Sequence, residues 1–372
     1  MYNPSLTQCC RHAYDFNLDT GESSYGVKAC TFPIIIEGDG IFLRINDADD
    51  VSMASLVPVS ETVKFKHGPR STTSDGYDLQ RPPTDATLCD WCAYILNTPD
   101  PERKIESTTQ LFANFAKRSD TSEPMPLGAG SVKPPDQPIR LQDLTEIAPG
   151  KMPNPGRGGS VKSRITMLHA LANIEQWAID LAIDICIRFA TFETISGEKL
   201  PRTFYYDWLK VANDEAKHFS LLRARLEELG SHFGALPVHH GLWESAAITA
   251  HDLRARISII ALVHEARGLD VNPLTIEKFR RAGDNESVEV LSIIHNDEIT
   301  HVTTGHRWLT WICDKEGLDP VQVFRGNVQK YFKGAVKGPF NTEAREQTGM
   351  DGRYYEDLNS GAPKRAHVIA GG

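Results

Sequence analysis

One six-residue frame, Asn-Asp-Glu-x-x-His, occurs twice, as Asn213-Asp214-Glu215-Ala216-Lys217-His218 and Asn296-Asp297-Glu298-Ile299-Thr300-His301. Of the 13 histidines, only His218 and His301 follow a glutamate by three positions. On a helix, residues i and i+3 share a face. Each copy therefore offers one carboxylate and one imidazole to a single point. One Glu-x-x-His alone is ordinary on a solvated helix face. Two copies on facing helices can hold two metal ions, provided that two further helices each add a carboxylate.

Those further carboxylates stand on the apolar seams of four long segments with helical periodicity. Segment 163–190 carries Leu168, Ala172, Glu175, Ile179, Ala182, Cys186 and Phe189 in steps of four and three. Segment 203–229 carries Trp208, Val211, Glu215, His218, Leu222 and Leu229, and stops at Gly230. Segment 243–267 carries Ile257, Ala261 and Glu265; Gly268 and Pro273 are expected to end it, and a short helix at 274–282 to follow. Segment 285–316 carries Leu291, Ile294, Glu298, His301, Gly305, Trp308 and Ile312. Ionised carboxylates are almost never buried without a partner, because desolvation costs several kcal/mol or more. A pair of cations at the centre of the packed helices compensates all four glutamates. The candidate ligands are Glu175, Glu215, His218, Glu265, Glu298 and His301, with Glu215 and either Glu298 or Glu265 as bridges. One demand follows. Glu265 is near the expected end of its helix and Glu298 lies well inside the next, an offset of ~20 Å for antiparallel neighbours at 1.5 Å per residue.

A donor set of carboxylates and imidazoles suits iron, or else manganese or an Fe/Mn pair, better than zinc or copper(I). Two reduced irons bridged by carboxylate react with O2, which would then be a co-substrate. Ala182, Ala261 and Gly305 either leave room beside the metals or mark close packing. Asp214 and Asp297 either accept a hydrogen bond from a ligand imidazole or are surface aspartates. His295, three before Glu298, is an extra ligand, a proton donor or a core residue. His264 adjoins Glu265 and points about 100° away, and His169 falls off the seam. Cys89-Asp90-Trp91-Cys92 is a lone C-x-x-C on an expected helix, weak as a redox or zinc motif. Ile179 stands four after Glu175 where a radical-storing tyrosine would be expected, so the pattern leans to substrate oxidation. The arginines at 223, 225, 254, 256, 280 and 281 form either an anion site or a solvated face.

The remaining chain bounds the setting. With 372 residues, 40% hydrophobic and 24% charged, it has the composition of a soluble globular protein. No apolar run is long enough to span a membrane, and the N-terminus lacks a secretory pattern. Seven scattered cysteines give no disulfide framework, so a reduced, cytoplasmic compartment is expected. A net charge of −9 argues against a broad nucleic-acid surface. Residues 1–85 read as an N-terminal extension with short strands: runs 32–36 and 41–45 flank Glu37-Gly38-Asp39-Gly40 as a hairpin, and 57–65 is a further strand. Residues 86–358 read as a helical domain, with helices at 88–96 and 102–118, a Pro/Gly/Ser-rich loop at 119–162, the core bundle at 163–317 and one more helix at 321–332. Residues 359–372 read as a disordered tail.

With these residues in place, the chain resembles an uncharacterised ferritin-like family catalogued as a domain of unknown function. The resemblance rests on Leu168-His169-Ala170-Leu171 through Glu175, Phe204 to Leu209, Asp214 to Phe219, His240-Gly241-Leu242-Trp243, Glu265 to Asp270, Asp297-Glu298-x-x-His301-Val302, and Gly338-Pro339-Phe340-Asn341. It covers roughly 86–358. It implies a mainly α, ferritin-like four-helix bundle with extra helices and the six ligands already derived. Its more distant relatives include tRNA hydroxylases, rubrerythrins and bacterial ferritins. Relatives carry His where Asn173 stands and an aliphatic residue where His264 stands, which implies a retuned site with both residues beside it.

The function expected from these readings is a dinuclear iron oxidoreductase that uses O2 to hydroxylate or oxidise a small organic substrate. The alternatives are a tRNA-modifying hydroxylase, which the acidic charge disfavours, and a non-catalytic metal-storage or structural protein. A monomer or small homo-oligomer is expected. Substrate and electron donor are not written in the sequence.

Overall fold

In this computed structural model, the described residues are 80–358, apart from 84, 119–122 and 153–154, and four short strands nearer the N-terminus. The chain divides into two compact units, Met1–Lys66 and His67–Gly372. In the first unit, β1 (Leu6–Gln8) pairs antiparallel with β2 (Asp15–Asn17). There too β3 (Ile34–Glu37) pairs antiparallel with β4 (Gly40–Leu43), with Ile36 opposite Ile41 and Glu37 opposite Gly40. That is the hairpin expected around 37–40. The strand expected at 57–65 and the tail at 359–372 lie outside the described residues.

The second unit is helical. Its elements are α1 (Leu88–Leu96), α2 (Pro101–Arg118), α3 (Val161–Arg188), α4 (Arg202–Glu228) and α5 (Gly241–Ile248). A long rod follows: α6 (Leu253–Arg256), a π-helical segment (Ile257–Glu265) and α7 (Ala266–Arg281), joined without a break. Then come α8 (Asn285–Glu316), α9 (Pro320–Tyr331), α10 (Thr342–Gln347) and α11 (Gly352–Tyr355).

Local chemistry explains most of these boundaries. Thr87 and Asp90 form a capping box at the start of α1. Ser160 caps α3 by accepting from the Ser163 N–H. Asp284 caps α8, and Gly317 ends it at φ 66°, a conformation that glycine adopts without strain. The loop between α2 and α3 contains one 3₁₀ turn, Pro149–Lys151.

The third segment departs from expectation at both ends. It does not begin at 243: α5 stops at Ile248, and Asp252 starts a new helix by accepting from the N–H groups of Arg254 and Ala255. Nor does it end at Gly268. The rod runs through Gly268 and Pro273 to Arg281. Proline removes the N–H that would bond the carbonyl four residues back, here Leu269. That carbonyl accepts instead from the side-chain amide of Asn341, at 3.2 Å. With the rod intact, the expected offset disappears. Glu265 stands 16 residues before the end of α7 and Glu298 stands 13 residues after the start of α8. At 1.5 Å per residue these are ~24 and ~20 Å, so a short turn between the helices brings the two glutamates level.

The helices pack in sequence: α3 on α4, α4 on α8, and α8 on both the π segment and α7. Gly305 of α8 makes the last approach close, because a Cβ there would lie 2.4 Å from the Ala261 Cβ. The apolar core falls into two clusters. One contains Ala182, Ala212, Ala261 and Val302, and the other Ile179, Ala216, Ile276 and Ile294. On each rod the change from one cluster to the other comes close to a candidate ligand. The candidate ligands therefore form a polar belt between two apolar layers.

Candidate metal centre

The structure brings all six candidate ligands together, one or two from each rod. Their donor atoms form two groups in which every atom lies within 4.8 Å of the others. The first group is Glu175, Glu215, His218 and Glu298; the second is Glu215, Glu265, Glu298 and His301. Glu215 and Glu298 belong to both, as two bridging carboxylates would. Glu175 and His218 belong only to one half, and Glu265 and His301 only to the other. Five of the six are buried; Glu265 alone keeps partial access to solvent.

Each Glu-x-x-His turn works as its spacing requires. His218 Nδ1 lies 3.1 Å from Glu215 Oε2 and 3.5 Å from Glu175 Oε2. His301 Nδ1 lies 2.9 Å from Glu215 Oε1 and 3.9 Å from Glu298 Oε2. Both histidines thus turn Nδ1 toward the carboxylates and Nε2 away. His218 Nε2 is 3.0 Å from Asp297 Oδ2, and His301 Nε2 is 3.6 Å from Asp214 Oδ2. The pairing is crossed: each imidazole faces the aspartate of the other copy. Lys217 binds Asp297 at 2.5 Å, and Lys210 binds Asp214 at 2.6 Å. Against its burial, His218 first, then Lys217, favours the ionised form of Asp297, and that acceptor holds the His218 proton on Nε2 and leaves Nδ1 free to bind a metal. His301 Nε2 stands beyond hydrogen-bond distance of Asp214.

The electrostatics of the belt fit two cations. Burial, reinforced by Glu215, holds the Glu175 carboxyl well above its usual range. Burial and three neighbouring carboxylates do the same to Glu298. Burial, then Glu215, pushes Glu265 up to about 7. Burial also opposes the charging of His301, but Glu215 and Asp214 outweigh it and lift the imidazole to about 9. His218 is raised as well: burial works against it, and bonds to Asp297, Glu175 and Glu215 prevail. Glu215 alone goes the other way; the two histidines and Glu175 overcome its burial and draw it well below its usual range. With only protons to balance it, the belt must keep carboxyls neutral and imidazoles charged. Two divalent ions bring four positive charges to four carboxylates and remove that need. Glu215 Oε1, Glu298 Oε2 and both ring nitrogens of His301 are buried and make no well-aligned hydrogen bond, so the second group has donor atoms to spare for a cation. No cysteine belongs to either group.

Beside the second half of the centre is a cavity of about 20 Å³, lined by Glu265 and His301 and by Ala178, Leu181, Ala182, Ile185, Trp208, Val211, Ile260 and Ala261. Aliphatic side chains make up most of the lining, and the size admits one water-sized molecule. Ala182 and Ala261 therefore border open space, whereas Gly305 serves close packing. Arg256 closes one side, its guanidinium held by Asp184, the Ala246 carbonyl and Thr249.

Other expected residues lie elsewhere. Asn173 does not join either donor group: it bonds Arg140 and the His239 carbonyl, both at 3.0 Å, because it is two residues from Glu175 and so on another face. His264 packs its ring edge on Phe332, outside both donor groups. His295 also lies outside them, with Nδ1 buried and unpartnered. His169 accepts from the N–H groups of Gly234 and Leu236 and fixes that connection. Cys89 and Cys92 are buried, with thiol pKa values raised by burial, and are inert packing residues. The candidate arginines all pair with acids: Arg223 with Glu102, Arg225 with Asp284, Arg254 with Glu316, Arg256 with Asp184, and Arg280 and Arg281 with Glu277. Lys210 and Lys217 were not foreseen, although Lys210 stands four before Asp214, a spacing at which a pair is expected.

The comparisons agree with one another. A curated protein of Haemophilus influenzae, described as uncharacterized, is 36% identical over 271 residues, 68% of this chain and 88% of its own length. No solved structure matches. Residues 97–356, which include all six candidate ligands, match the family model "Protein of unknown function (DUF455)", and the chain belongs to that family.

Proposed function

We propose that this chain is a dinuclear iron oxidoreductase that uses O2 to hydroxylate or otherwise oxidise a small organic substrate, on a helical bundle of the ferritin-like kind. One observation carries the reading: six donors from four rods fall into two overlapping groups that share Glu215 and Glu298. Four carboxylates, two imidazoles and no thiolate suit iron or manganese. Iron, when bound, supplies electrons to O2 and an oxidising equivalent for the substrate.

The protein's own groups account for the rest. Glu215 and Glu298, common to both donor groups, would hold both ions. Asp297 holds the His218 imidazole in orientation, and Asp214 stands across from His301. The aliphatic cavity beside Glu265 and His301 has room for a diatomic gas and little for bulk water. An organic substrate is too large for that cavity and approaches from the Glu265 side, where the belt is least buried.

The test joins elemental analysis of the purified chain to optical spectra of its reduced form mixed with O2. The reading expects two irons per chain and a transient absorption band after mixing. Zinc in the site, or two irons that do not respond to O2, would overturn it.

A further inference from the structure

Two stretches singled out in the sequence have no place in the metal centre itself: the turn after Glu265 and the segment around Asn341. The fold joins them. We infer that Asn341 and Arg345 are positioning residues that set Glu265, and with it one half of the two-ion centre. This rests on the two-ion reading of the site.

The turn that follows Glu265 is weak as a helix. It holds Gly268, and Pro273 deprives the Leu269 carbonyl of its N–H partner. A π segment ends at Glu265 itself, and such segments bond i to i+5 rather than i+4, so the switch back to α-helix falls on the ligand. The segment 337–345 braces this turn. Asn341 gives its side-chain amide to the Leu269 carbonyl at 3.2 Å and its backbone N–H to Asp270 at 3.0 Å. Arg345 forks onto Asp270 through Nε and Nη2 at 2.9 and 2.8 Å, and Nη2 also reaches the Ala266 carbonyl at 3.1 Å. Arg345 is 2% exposed and Asp270 5%. The rings of Phe340 and Tyr355 flank the guanidinium at 5.1 and 4.8 Å. A buried, two-pronged ion pair of this kind fixes geometry as well as adding energy. The carbonyls that Arg345 and Asn341 hold, of Ala266 and Leu269, fall one and four residues after Glu265.

Glu265 ligates in only one of the two donor groups. A brace acting through it must therefore affect one ion and spare the other. A merely stabilising contact has no such preference.

The experiment uses the full chain, stripped of metal, and cobalt(II) as the probe, followed by visible absorption. Glu265→Ala leaves the half built on Glu175 and His218. Glu175→Ala leaves the half that needs Glu265. In the Glu175→Ala background, Asn341→Ala and Arg345→Lys are each expected to weaken cobalt binding by about tenfold or more and to alter its band shape, the scale found for groups that orient ligands. In the Glu265→Ala background the same changes should leave binding unaltered. Pro273→Ala returns an N–H to the Leu269 carbonyl, so it should rescue Asn341→Ala while doing little for Arg345→Lys. Equal loss in both backgrounds, or no loss in either, would overturn the brace while leaving the two-ion reading in place. A wild-type chain that takes up no cobalt would sink the reading and the brace together.

Discussion

The imidazole of His218 is bound to Asp297, at 3.0 Å, and not to Asp214 four residues before it. His301 in turn faces Asp214. The two copies of the hexapeptide are therefore not independent metal arms. Each provides a candidate ligand pair to the centre and turns an aspartate toward the other copy, so α4 and α8 must be in register for His218 to be oriented.

Asp297→Asn keeps the shape and removes the charge that holds the His218 tautomer. Metal affinity at that half is expected to fall ~10–100-fold. Metal titration of the stripped protein would measure it, and unchanged affinity would mean that the crossed pair has no part in binding.

The ligand groups predict stoichiometry. Glu175→Ala and Glu265→Ala each remove a residue of one group, so each variant should retain one ion per chain. Glu215→Ala removes a residue of both and should bind neither ion tightly. Elemental analysis after desalting reads the result directly; two ions retained by the Glu215 variant would contradict the shared-carboxylate arrangement.

Gly305→Ala places a methyl group 2.4 Å from the Ala261 Cβ. The π segment and α8 must separate, at a cost of ~1–3 kcal/mol. Because His301 is one turn away, metal affinity should fall with stability. Ala261→Gly in the same chain should restore both, and denaturant midpoints of the single and double variants would show whether it does.

Burial lowers the pKa of His169 from 6.5 to about 4. The unfolded chain therefore takes up this proton below pH 6.5 while the folded chain does not, and stability is lost as pH falls from about 6.5 to 4. At 1.36 kcal/mol per pH unit the full effect is ~3 kcal/mol. His264, also held near 4 by burial, contributes in the same direction. His169→Gln can still accept from the Gly234 N–H and cannot titrate. Its unfolding free energy should fall less steeply over that range than the wild type's, and parallel curves would refute the assignment.

The candidate ligands were legible in the sequence because the signal for them is local. A glutamate on an otherwise apolar helical stripe is costly unless it is paired, and helical periodicity alone identifies the stripe. That reasoning located Glu175, Glu215, His218, Glu265, Glu298 and His301, and it supplied the boundaries of α1 and α8 without change. What no stripe reveals is a contact between rods. Only the tertiary structure decided that Asp297 serves the other copy's His218 and that Asp214 faces His301, since helix register is set by packing. Only the tertiary structure carried a helix through Gly268 and Pro273, because the hydrogen bond lost at the Leu269 carbonyl is replaced by Asn341, 72 residues further along the chain. Likewise Asn173, beside the metals by resemblance, faces Arg140 and His239, and no property of α3 alone names those partners. Side-chain type and spacing within one helix determine which groups can bind metal; the placement of each helix against its neighbours determines which groups meet.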